Sequence, residues 1–145
     1  MKGLDKMTIA CATNDGKCFV NTHFGDAERY NIYELSEKGC VFIKTLENNT
    51  EPEEEHAAPK KAKGIVKLLK AHDVQIGVSK QFGPNIKRVS KHFLPVLISE
   101  DTISSVLTVL AARYGEIVSI MNDEEQGFIR VKDEDMAFIP IQKES

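Results

Sequence analysis

Apolar and polar positions alternate along the first third of the chain in short runs broken by turn formers. Residues 7–13, MTIACAT, read as a strand. Asn14-Asp15-Gly16 follows and predicts a hairpin turn, because Asp-Gly supplies positive φ angles. Residues 17–24, KCFVNTHF, are then the returning strand, residues 29–35 (RYNIYEL) a third, and residues 40–48 (CVFIKTLEN) a fourth after a turn at 37–39. Beyond a loop rich in Glu and Pro, the period changes. Ala62, Ile65, Val66, Leu68 and Leu69 form a helical stripe with lysines largely outside it. DVQIGVS (73–79) predicts a buried strand. GPNIKRVSKH (83–92) predicts a helix with Pro84 in its first turn, where a missing N–H costs nothing. FLPVLIS (93–99) predicts a further strand, with Pro95 placing it at an edge or a bulge. Residues 100–115 predict a helix capped at Asp101 or Thr102 and ended by Gly115, because Ile103, Val106, Leu107 and Leu110 recur at i, i+3, i+4 and i+7.

An antiparallel β-meander followed by αβαβα predicts an α/β fold: a mixed sheet with helices packed on it. The expected division is a domain over 1–121 and an extension over 122–145. That extension carries two apolar runs, GFIRV and MAFIPI, suited to a hairpin or to an arm docking on this domain or a neighbour.

The 145 residues suit one domain, and the net charge of −3 lacks the footprint of a general nucleic-acid binder. No apolar run reaches the roughly 20 residues that cross a bilayer, and residues 1–12 lack the apolar core of a signal peptide, so a cytoplasmic protein is expected. Cys11, Cys18 and Cys40 are odd in number and show no C-x-x-C spacing, which speaks against disulfides and a closed zinc site. A two-residue turn at Asp15-Gly16 would put Cys11 and Cys18 on one face; a three-residue turn would put them on opposite faces. Strand alternation separates Cys18 from His23 unless the chain bends.

His23, in NTHFGDAE, is the best ligand candidate. Neutral imidazole suits iron and copper, and Gly25 allows close backbone approach. A histidine hydrogen-bonded at a strand end, with Phe24 in the core, is the competing reading. KQFGPNI (80–86) is a second candidate. Gly83 permits close approach, the N–H groups of the following helix favour anions, and Lys80, Lys87 and Arg88 add positive charge. A nuclease with two metal ions needs clustered carboxylates, one of them in the first strand, and MTIACAT has none.

The ordered set MTIACATNDG, THFG, IYEL and FGPN, spread over roughly residues 7–115, resembles the dinitrogenase iron–molybdenum cofactor biosynthesis family, of NifX and NafY type. The resemblance implies a ribonuclease H-like fold and a non-enzymatic protein that binds or carries a metal–sulfur cluster or its precursor, of Fe-Mo, Fe-S or Mo-Cu type. It implies donor or acceptor proteins as partners, with no nucleic acid and no membrane. His23, Gly25, Phe82, Gly83 and Asn85 are then the expected cluster-facing residues, with His23 and Cys18 as metal ligands. The alternative of the same fold is a protein-interaction module without cargo, in which the acidic loop and the extension make contacts, including self-association through the extension.

Overall fold

The computed structural model describes residues 6–48, 59–123 and 125–141; for residues 59–63 and 85 it describes the backbone. The acidic loop with His56 lies outside these residues. The strands are β1 (Met7–Thr13), β2 (Arg29–Ser36), β3 (Gly39–Glu47), β4 (Ile76–Ser79), β5 (Leu94–Ile98), β6 (Gly127–Lys132) and β7 (Asp135–Pro140). The helices are α1 (Pro59–Lys70), α2 (Ile86–Val89), α3 (Ile103–Ala112) and α4 (Tyr114–Asn122). The strands form one mixed sheet in the order β3-β2-β1-β4-β5-β6-β7. β1, β4, β5 and β6 pair in parallel, β2 and β3 are antiparallel to their neighbours, and β7 closes a hairpin on β6. The α/β architecture predicted from the alternating elements is therefore present, and the two apolar runs of the extension are the last two strands of the same sheet.

β1 is buried on both faces, and its side chains divide by alternation between two cores. Met7, Ile9 and Cys11 join the core under α3 and α4; Ala10 and Ala12 join the core under α1, with Phe24, Tyr30, Ile65 and Leu69. Gly77 on β4 belongs to this second face. A Cβ added there would stand 2.9 Å from Phe24 Cζ and 3.1 Å from Phe93 Cε2, so the missing side chain is the space these two rings occupy.

Four expectations need correction. Residues 17–24 do not form a strand. Thr13 Oγ1 donates to the Cys18 carbonyl (2.6 Å) and accepts from the Gly16 amide (2.9 Å), while the Lys17 and Cys18 amides donate to Asp15 Oδ1, both at 2.8 Å. These side-chain bonds take backbone groups that a ladder would need. The Cys18 and Lys17 amides also hold the Asp15 carboxyl below its ordinary pKa. What remains of the pairing is an isolated bridge, Thr13 to Phe19, so the meander has three strands. Its register matches the three-residue turn, which places Cys11 and Cys18 on opposite faces.

The helix expected over 83–92 is a 3-10 turn, Gly83–Asn85, followed by the single turn of α2. Tight bonds from the Lys91 amide to Arg88 O and the His92 amide to Val89 O end it as the chain turns into β5. The helix expected to stop at Gly115 instead breaks at Arg113 (φ −109°, ψ 21°) and resumes as α4, bent by 75°. The bend puts both Leu110 and Ile117 fully into one core. Finally, β5 is an interior strand despite Pro95. The Leu94 amide donates to Gln75 O on the β4 side (2.8 Å), so residue 95 presents its nitrogen to the other side. There the pairing with β6 starts only at Val96, and no ladder bond is lost.

Replacing Gly77 with Ala should cost about 1–3 kcal/mol, because the rings of Phe24 and Phe93 have no room to give. Urea unfolding measures it, and the loss should fall when Phe24, the nearest ring, is replaced by Leu in the same chain.

Candidate functional site

β1, β4 and β5 end on the same side of the sheet, since they run parallel. From β1 the chain proceeds to β2 and β3 on one side, then crosses to β4 on the other. The crevice beyond the carboxyl ends of β1 and β4 is thus a topological switch point, where open α/β sheets take their ligands. The two loops flanking it are the two candidate stretches, residues 14–28 after β1 and 80–85 after β4.

These loops are joined by backbone. The Phe24 amide donates to Gln81 O (2.7 Å), His23 and Gln81 form a parallel bridge, and Gln81 Nε2 donates to Asn21 O (2.9 Å). Phe24 is 1% exposed and stacks on Phe82 at 4.9 Å, with the planes 22° apart. Its carbonyl accepts from Tyr30 Oη (2.7 Å); burial, then the Asp26 charge, pushes the Tyr30 pKa up, so the hydroxyl stays a donor. Asn48 Nδ2 donates to the carbonyls of Gly25 (3.0 Å) and Ala27 (2.8 Å). The His-Phe-Gly turn is a short 3-10 helix, Phe24–Asp26, held from three sides.

His23 stands half-buried at the head of that turn. Gly83 lies against its ring: with φ +67°, a Cβ there would come within 2.6 Å of His23 Cε1, 2.7 Å of Nδ1 and 2.9 Å of Nε2. Neither ring nitrogen hydrogen-bonds to a described residue. The imidazole is therefore fixed by packing, with its lone pair available to something else.

The other candidates divide. Gly25 lies in the 3-10 turn without a left-handed backbone, and its carbonyl is taken by Asn48. The Phe82 ring is buried in the core, which leaves only its backbone to face a ligand. Asn85 ends the turn that Gly83 begins. Cys18 is half-buried and bridges to Thr102, so it is pinned to the β5–α3 link while His23 is pinned to Gln81. Among the described residues no three of His, Cys, Asp and Glu gather into a metal-holding group. The anion-attracting helix expected after Gly83 is a single turn, too short for a substantial dipole.

The sequence reading missed how Lys80 is used. Its side chain is 17% exposed, donates to Asn21 Oδ1 (2.8 Å) and pairs with the Asp101 carboxylate. Asp101 O also accepts from the Phe19 amide, so this contact ties together the loops after β1, β4 and β5. Residues 21, 80 and 101 have no local signal that could have linked them. At the end of β4, Ser79 is fully buried and its hydroxyl has no partner among the described residues.

A cavity of about 390 Å³ lies at the opposite end of the sheet, lined among others by Phe93, Leu94, Ile120, Met121 and Gln126. Gln126 is already engaged there with Ser90 Oγ (2.6 Å) and Lys87 O (3.1 Å), and neither candidate loop reaches it.

The family model for dinitrogenase iron-molybdenum cofactor matches residues 5–113. The chain belongs to the dinitrogenase iron-molybdenum cofactor family. The match covers β1 through α3 and both loops of the crevice, and it ends before β6 and β7. A search of curated proteins gives no match. Membership connects the chain to the biosynthesis or binding of the iron–molybdenum cofactor, and so to metal–sulfur clusters in general. Among the described residues no single helix is long and apolar enough to cross a membrane.

Gly83→Ala should lower stability by about 1–2 kcal/mol through its left-handed backbone and displace the His23 ring, read as a shift of the His23 imidazole resonances. Thiol labelling at about pH 8 should modify Cys18 first. Burial pushes the Cys40 thiol up to about 11 and raises that of fully buried Cys11.

Proposed function

We propose that this protein binds a metal–sulfur cluster of the iron–molybdenum-cofactor type, or its precursor, at the β1/β4 crevice and passes it on without catalysing a reaction. The observation that supports this reading best is the packing of Gly83 against a His23 imidazole whose nitrogens bond to no described residue. A side chain at position 83 would fill the space at the ring.

The donor set suits cargo better than a resident group. One neutral imidazole offers a single bond of moderate strength to a borderline metal. Resident clusters are commonly held by several thiolates, and no such set is gathered among the described residues. A single protein ligand lets an acceptor with more ligands take the cluster. His23 supplies the metal bond, and Gly83 keeps the ring in place while allowing backbone near the cluster. Lys80 supplies a cation beside the crevice, which matters in a chain of net charge −3 that is to take an anionic cargo. Asp101 neutralises that cation and restrains the affinity. The partners are then proteins that donate or accept such clusters.

Reconstitution with iron, molybdenum and sulfide, followed by desalting and absorption spectroscopy, tests the reading. His23→Ala should retain less than about a tenth of the wild-type cluster, the loss of one ligand bond worth roughly 1.4 kcal/mol or more. Asp101→Asn should retain more than wild type. Equal retention by His23→Ala and wild type would remove His23 from the account.

A further inference from the structure

The basic residues of this chain are segregated. Residues 59–92 hold eight lysines and Arg88 against one carboxylate, Asp73; that is a net +8 in a chain whose total is −3, so the remaining residues carry −11. The stretch comprises α1, β4, the Gly83–Asn85 turn and α2. β4 is buried, and the two helices are neighbours that bury Ile65, Leu69 and Val89 in one core. The charges therefore stand outside: Lys67, Lys70, Lys87, Arg88, Lys91 and His92 are exposed. On the other face of the sheet, α3 and α4 span 103–122 with two charges, Arg113 and Glu116, which pair with each other at 3.0 Å.

Crowding of this kind costs stability. Lys60, Lys63, Lys67 and Lys70 recur at i, i+3, i+7 and i+10 along α1, and like charges at such spacing weaken a helix. Lys70 Nζ stands 3.5 Å from His92 Nδ1. Burial, then the Lys70 and Lys91 charges, lower the His92 pKa. No carboxylate of a described residue pairs with Lys67, Lys70 or Lys91. Cations gathered on one face of a net-acidic chain, at a cost to the helix that carries them, attract and orient a partner of opposite sign.

We propose that the α1–α2 face docks an acidic surface patch of another protein, one that delivers the cluster to the crevice or takes it away. The partner's role as donor or acceptor rests on the cluster-binding reading; the docking itself does not. α2 begins directly after the turn whose Gly83 packs on His23, so a protein docked on it stands beside the crevice. Charge decides the kind of partner. A long polyanion such as nucleic acid would run past the two helices onto surface that carries −11 and be repelled. The rings next to this face, Phe82 and Phe93, are buried and offer bases no stacking surface. An acidic patch on a folded protein is limited in extent, as the basic face is.

Fluorescence anisotropy of a labelled octaglutamate peptide, titrated with the full chain, tests the docking. The peptide should bind at about 20 mM salt and at least about tenfold more weakly at about 200 mM. Lys67→Glu combined with Lys70→Glu should weaken binding at least about tenfold. Lys38→Glu combined with Lys44→Glu makes the same change in net charge on the exposed β2–β3 hairpin and should weaken it less than about threefold. Both variants are checked for an unchanged circular dichroism spectrum. Equal loss in the two variants would mean that net charge alone attracts the peptide, and it overturns the proposal, as does a wild type that binds no peptide. Tighter binding of an oligothymidine of equal charge would assign the face to nucleic acid and overturns it too. His23→Ala should bind the peptide as wild type does. Cluster retention without peptide binding sinks the docking alone; peptide binding by a chain that retains no cluster sinks the cluster reading alone.

Discussion

The Phe24 ring occupies the place where a side chain of residue 77 would stand, and the crevice depends on this substitution of one residue's volume for another's. Because β4 carries Gly77, the ring can reach the sheet there and pack among Tyr30, Phe82 and Phe93. Because the ring is anchored there, the turn that carries it cannot lift away, and its amide reaches Gln81 O. His23, one residue earlier, is thereby brought to Gly83. Close packing in a core allows little slack, so a small change at residue 77 should be felt at residue 23.

The design separates rigid parts from exchangeable ones. Hydrogen bonds to backbone carbonyls fix the His-Phe-Gly turn through Tyr30 and Asn48. The imidazole itself is held by contact alone. Lys80, largely buried, is shared between Asn21 and a largely exposed Asp101. The chain's family is connected to the biosynthesis or binding of the iron–molybdenum cofactor.

Much of this was legible in the sequence. A short β-like run marked β1, alternation marked β2, and the apolar stripes of Ile65–Leu69 and Ile103–Leu110 marked two helices, since those patterns report burial directly. THFG and FGPN, joined in the sequence only as members of one motif set, lie side by side in the fold. What failed depended on non-local or competing bonds. Asp15 and Thr13 captured the amides and carbonyl that would have made residues 17–24 a strand. Pro95 proved compatible with an interior strand because its neighbour's pairing begins one residue later. The break at Arg113 has no Pro or Gly at its centre and serves the packing of Leu110 and Ile117 in one core. The Phe82 ring lies in the aromatic stack, a placement that one residue's identity cannot carry.

The central claim is that one histidine nitrogen bonds the cargo. Pulsed electron paramagnetic resonance on protein loaded with a paramagnetic metal–sulfur cluster tests it most directly. The account predicts hyperfine coupling to a single imidazole nitrogen that disappears in His23→Ala and shifts in Gly83→Ala. Coupling that survives unchanged in His23→Ala, or a bound cluster with no nitrogen coupling at all, would contradict it.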